Sequence, residues 1–78
     1  MICIIEPEYH AVWGRGRTID EAWSDARKQI DWHKSWNKNC VIGKLEVARL
    51  REDANLDTDG ETMYQWVERS EPVQESLF

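Results

Sequence analysis

The residues most suggestive of chemistry form the run Asn55-Leu56-Asp57-Thr58-Asp59-Gly60. Oxygen-bearing side chains at alternate positions with glycine at the sixth match the first half of an EF-hand calcium loop. The twelfth position of such a loop carries a bidentate glutamate, and here it is Trp66, while Glu61 and Glu68 are out of register. The run therefore reads as an acidic turn. His10, His33, Cys3 and Cys40 are the soft metal ligands. They lack the short-range pairing of a zinc site, so no metal and no cofactor is expected. Nucleophilic catalysis needs a thiol or hydroxyl beside an oriented histidine. Cys40, seven residues beyond His33, is the one candidate, and it follows a predicted helix C-terminus, where the dipole disfavours a thiolate. Gly14-Arg15-Gly16-Arg17 lacks the third glycine of a dinucleotide fingerprint and the lysine of a P-loop. No catalytic residue is assigned, and the chain reads as a non-enzyme.

Aromatic side chains are the stronger lead. Five tryptophans and two tyrosines occur in 78 residues. A domain of this size has a thin core, and large rings are one way to add buried area. Trp32 and Trp36, four apart, lie together to one side of the predicted core face of a helix, as core edge or as an exposed pair. With Tyr64 and Trp66 they exceed what so small a core easily hides, and tryptophan and tyrosine are favoured at binding hot spots. Charge adds a second lead. Residues 1–51 carry nine Lys/Arg and seven Asp/Glu, net +2, whereas residues 52–78 carry one Arg and eight Asp/Glu, net −7. No dense basic patch exists, so direct nucleic-acid binding is disfavoured. An acidic segment can solubilise a small protein or face a basic partner. The residues expected to touch a partner are Trp32, Trp36, Asp53, Asp57, Asp59, Glu61, Tyr64 and Trp66.

The elements that must position these residues centre on Gly14–Trp36. Thr18 followed by Glu21 forms a capping box, with the Thr18 hydroxyl accepting from the Glu21 N–H and the Glu21 carboxylate reaching back to the Thr18 N–H. Acids lead (Asp20, Glu21, Asp25) and bases follow (Arg27, Lys28, Lys34), as the helix dipole favours. Ala22, Trp23, Ala26, Ile30 and His33 share a face, which predicts a helix over about 19–37. Before it, Met1–Glu6 reads as a buried strand ended by Pro7, and Tyr9–Arg15 as a second strand whose Tyr9, Ala11 and Trp13 point one way. After it, residues 40–52 read as a strand, with Gly43 weighing against a helix. Residues 53–61 read as a polar loop, and residues 62–69 as a returning strand, with a helix from Glu61 to Ser70 as the runner-up.

The expected architecture is α+β: an antiparallel sheet of about four strands in the order ββαββ, with one helix packed on one face. The other face would be half solvated unless covered by a partner or a second copy, and homodimerisation through that face or an open edge is an option. Residues 1–70 form the single domain and residues 71–78 a tail, with Leu77 and Phe78 able to dock back. No apolar run approaches a membrane span and nothing resembles a signal peptide, so the expected location is cytoplasmic, with free cysteines and no membrane partner.

Within residues 9–30, the pattern Gly16-Arg17-Thr18-Ile19-Asp20-Glu21-Ala22, then Asp25-Ala26 and Ile30, resembles the strand-to-helix junction of HicB-like antitoxins. The resemblance covers under a third of the chain. The family's longer N-terminal hairpin, its Pro-Gly-Cys approach to the helix and its C-terminal DNA-binding module have no counterpart here. What the resemblance implies is a sheet-plus-helix scaffold that covers a partner protein. The same arrangement also looks like many short phage and mobile-element proteins, anti-CRISPR inhibitors among them. The expected function is therefore that of a small acidic inhibitor of a host protein or nucleic-acid-binding complex, meeting it through a basic nucleic-acid-binding surface. The alternative is an antitoxin-like module that neutralises a toxin.

Overall fold

The computed structural model describes residues 1–68. The chain runs β1 (Ile2–Glu6), a 3-10 turn (Pro7–Tyr9), β2 (Ala11–Gly16), α1 (Ile19–Trp36), β3 (Glu46–Leu50), α2 (Gly60–Met63), a second 3-10 turn (Tyr64–Trp66) and β4 (Val67–Glu68). The four strands form one antiparallel sheet in the order β2-β1-β3-β4. The α+β class, the antiparallel sheet and the packed helix are as the sequence predicts, with a short helix interposed before the last strand. Arg69 and Ser70, the tail 71–78 and its Leu77 and Phe78 lie outside the described residues. Among the described residues no helix is long and apolar enough to cross a membrane.

The central strand β1 is buried on both faces, which is why it is a near-continuous apolar run. Ile4 packs with Ala22 and Ala26 of α1, flanked by Ile2, Trp13, Trp23 and Leu45. Cys3 and Ile5, pointing the other way, pack with Leu50 and Met63, flanked by Val12, Ala48, Ala54, Tyr64, Trp66 and Val67. The face expected to be half solvated is thus covered by the chain's own residues 54–67. The sheet is the middle of three layers.

The small residues Gly14, Ala22 and Ala26 let α1 lie against the sheet. A Cβ on Gly14 would come within 2.2 Å of the Ala26 nitrogen. Thr18 caps α1 as expected, its hydroxyl accepting from the Glu21 N–H at 3.1 Å. The Glu21 carboxylate reaches one residue further back than expected, accepting from the Arg17 N–H at 2.9 Å.

Three local expectations are corrected. First, β2 begins at Ala11 rather than Tyr9. Pro7 opens a 3-10 turn that ends on His10 in the left-handed region, φ 51° and ψ 52°. The register also slips, Ile4 facing Gly14 and Ile5 facing Val12, so Trp13 is the extra residue of a bulge. Simple alternation fails there: Trp13 packs on the helix side, where Gly14 also faces α1. Second, the predicted strand 40–52 shrinks to Glu46–Leu50. The Gly43 N–H is drawn to the buried Glu6 carboxylate instead of to a ladder. Third, residues 62–69 are mostly not strand. Asp59 accepts from the Thr62 N–H at 2.8 Å and starts one turn of helix, and among the described residues only Val67–Glu68 of this run pair with β3. At Asp59 an N-cap wins over the polar loop followed by a returning strand that the sequence predicts.

Candidate functional site

The last two turns of α1 present an aromatic cluster. Trp32 and Trp36 are 59 % and 58 % exposed, which places them outside the core. Their rings meet edge to face with centroids 5.5 Å apart, the geometry the ring quadrupole favours. Half-buried His33 joins them to the body: its ring lies 5.3 Å from Trp32, 5.2 Å from Trp36 and 4.9 Å from Trp13. The exposed pair is therefore held on a footing of Trp13 and His33 rather than left as two free rotors. Its ordering cost on association is correspondingly small. Covering each exposed indole is worth roughly 2–3 kcal/mol before association costs.

Tyr64 and Trp66 do not join this cluster. Both are half-buried against the core on the sheet face opposite α1. The Tyr64 ring stacks on His10 at 5.0 Å, which ties the second 3-10 turn to the β1–β2 connection. The Trp66 carbonyl accepts from the Arg51 N–H at 2.9 Å. These two residues are the rim of the core, so the aromatics expected at a partner surface divide into two groups.

The acidic segment is folded locally. Asp53 pairs with Arg51 at 2.7 Å, but both side chains are at least half exposed, so the pair adds little stability. The Asn55 side-chain oxygen accepts from the Asp57 N–H at 3.0 Å, and the Thr58 hydroxyl donates to the Asn55 carbonyl at 2.8 Å. Asp59 caps α2, and the hydrogen bond from the Thr62 N–H holds its carboxyl below the usual 3.8. The side chains of the calcium-like run thus serve a turn and a cap. Among the described residues no group of three or more His, Cys, Asp or Glu is placed to hold a metal ion. Asp53, Asp57, Asp59 and Glu61 are all exposed, and Asp59 and Glu61 also border the groove beside β2.

Between α1, the edge strand β2 and residues 56–61 lies a groove of about 900 Å³, which the sequence reading missed. Tyr9, Trp13 and His33 form its aromatic lining, and Glu6, Asp25, Asp59 and Glu61 its acidic lining. Two chain segments close over the outer edge of β2. The Asp25 carboxylate accepts the Arg15 N–H at 3.0 Å, and Gly60 crosses so near the Val12 carbonyl that a Cβ there would sit 2.4 Å from its oxygen. Arg15 reaches the sulfur of Met63 at 3.7 Å. Cys40 and His33 both line the groove, and among the described residues no hydrogen bond joins them. The signal available in sequence was Gly60, a residue that allows close backbone approach as well as a turn.

Comparison with protein-family models, with curated proteins and with solved structures finds no match for this chain. The likeness to HicB-like antitoxins therefore rests on the junction residues alone.

Proposed function

We propose that this chain is a small non-enzymatic inhibitor that occupies the surface of a host protein or nucleic-acid-binding complex, in the manner of anti-defence proteins of phages and mobile elements such as anti-CRISPRs. It acts in the cytoplasm without a cofactor. The observation that carries the reading is the Trp32–Trp36 pair, exposed at 59 % and 58 % on a pre-ordered footing. A chain with few core residues has strong reason to bury its indoles, and leaving two outside supports a role for them in contact with something else. The acidic segment, with Asp53, Asp57, Asp59 and Glu61, suits a basic surface of the kind that holds nucleic acid.

The antitoxin-like reading is the alternative. It is favoured by the junction at Gly16–Ala22, where a strand passes into a Thr18-capped helix as the resemblance implies.

Purification of the tagged chain from its host, under conditions that keep complexes intact, tests both. An inhibitor should bring down a stoichiometric host protein or complex, and an antitoxin a small toxin. Replacing Trp32 and Trp36 by alanine should lower retention at least about tenfold while leaving the unfolding free energy, read by urea titration, within about 0.5 kcal/mol of wild type. Undiminished retention would sink the role given to the tryptophans.

A further inference from the structure

We infer that the groove along β2 receives a cationic, extended segment of a protein partner, an Arg- or Lys-bearing stretch whose charged heads lie between the aromatic lining and the acidic rim. The inference rests on the partner-binding reading above and gives the partner a chemistry. Three observations converge on it. The lining is unbalanced in charge: Glu6, Asp25, Asp59 and Glu61 stand against Arg15, which makes no ion pair among the described residues and turns to the Met63 sulfur instead. Carboxylates beside low-dielectric walls focus a negative potential into the cleft. Part of the wall is aromatic: Tyr9 and Trp13 line it beside His33. Cations are attracted to the faces of such rings when carboxylates complete the site. The size fits several side chains rather than one ion, at about 900 Å³.

The backbone of β2 narrows the mode of recognition. The outward Arg15 N–H is already taken by Asp25, and Gly60 crowds the Val12 carbonyl. A partner strand cannot add to this edge without displacing both. The occupant is therefore recognised by its side chains and lies across the groove. The groove is continuous with the exposed Trp32–Trp36 pair through His33, which belongs to both. One partner segment can thus place cations in the groove and an apolar side chain on the indoles.

The test uses the full chain and labelled octapeptides of alternating Gly/Arg, Gly/Lys and Gly/Glu, with affinity read by fluorescence anisotropy at low and near-physiological salt. Asp25→Asn, Asp59→Asn and Glu61→Gln remove charge but keep the acceptor oxygens that bind the Arg15 N–H and cap α2. Asp20→Asn and Asp31→Asn, exposed on α1 away from the groove, change net charge equally per residue. The Arg peptide should bind, the groove variants combined should weaken it by about tenfold or more, and the α1 controls should change it less than about twofold. Arg15→Gln should strengthen binding. The proposal is overturned if the Arg peptide does not bind, if the groove and control variants weaken it alike, if the Gly/Glu peptide binds as well, or if spermidine, a polycation with no side chains, binds as tightly. Such failure is separable from that of the partner reading. Loss of host-partner retention in the tryptophan double variant, with no effect of the groove variants, would leave the indole contact standing and remove the groove from it.

Discussion

Gly14→Ala is the sharpest probe of how the helix is seated. The new Cβ would lie 2.2 Å from the Ala26 nitrogen, 2.5 Å from the Ala22 carbonyl oxygen and 2.6 Å from the Ala26 Cα. All three belong to the backbone of α1, so no side chain can swing aside to make room. Ordinary contact begins at 3.4 Å, and α1 must therefore retreat by about 1 Å. It would lift off Ile4, against which Ala22 and Ala26 are now buried to 0 % and 1 % exposure. A radial gap of that size forfeits about a quarter to a half of the dispersion attraction across it. Overpacking of this kind costs about 1–3 kcal/mol, and here the upper half of that range applies because the clash is triple and with backbone. Reduced freedom of the unfolded chain returns only about 0.4–1 kcal/mol. A net loss of about 2 kcal/mol is large for a domain whose whole stability is roughly 4–12 kcal/mol at this length. The assay is urea unfolding followed by tryptophan emission. With a slope near 1 kcal/mol per molar, the midpoint should fall by about 2 M at constant slope. Gly43→Ala is the matched control, because its Cβ would meet only the ends of the Glu6 and Glu8 side chains at 3.0 Å. It should shift the midpoint by less than about 0.5 M. If Gly14→Ala proves as mild as that control, the argument that Gly14 sets the helix–sheet distance is wrong.

Three further outcomes are expected. Glu6 is 2 % exposed, and its carboxylate accepts from the Trp13 indole N–H at 2.9 Å and the Gly43 N–H. Glu6→Gln turns one acceptor into a donor facing an N–H, and should cost about 1–3 kcal/mol in urea melts and move the Trp13 indole proton resonance; an unshifted resonance would contradict the bond. Burial pushes the Cys3 thiol up to about 11, whereas Cys40 is only half-buried. A thiol reagent near pH 8 should label one cysteine in the folded protein, Cys40 by peptide mapping, and Cys3 only after unfolding; early labelling of Cys3 would refute its burial. The Asp59 carboxyl, held below 3.8 by the Thr62 N–H, favours the folded state above that value. The contribution is lost as pH falls through the lowered pKa, so carboxyl shifts in NMR should show Asp59 titrating below 3.8, and titration at or above it would remove the cap's charge from the stability account.

The features legible in the sequence were those set by neighbours along the chain. Thr18 and Glu21 cap a helix because their spacing alone brings side chain to backbone, and the small residues Ala22 and Ala26 mark the face that must come close to something. What was not legible depended on distant partners. Glu6 looked like the polar end of a strand, yet its carboxylate is buried because Trp13 and Gly43 bring donors to it. The bulge at Trp13 shifts the alternation of β2 by one residue, and nothing in Tyr9–Arg15 announces it. The cover over Cys3 and Ile5 was misread for a similar reason. Met63, Tyr64, Trp66 and Val67 fit either period over so short a run, and Asp59 decides it by capping. The exposed pair Trp32 and Trp36 lay where helical spacing put it. The groove beside it needed the approach of Gly60 to β2, an event between residues nearly fifty apart.

The position of β1 has a consequence for how the protein is made. It is synthesised before its partner β3, which follows some forty residues later, yet it is an interior strand of the sheet. During elongation, β1, β2 and α1 can assemble as soon as residue 36 is clear of the ribosome. Until residues 46–67 follow, one edge of β1 has no strand beside it, and Cys3 and Ile5 face water. Prolonged exposure of this unpaired edge before residues 46–67 pair with it favours aggregation over native folding.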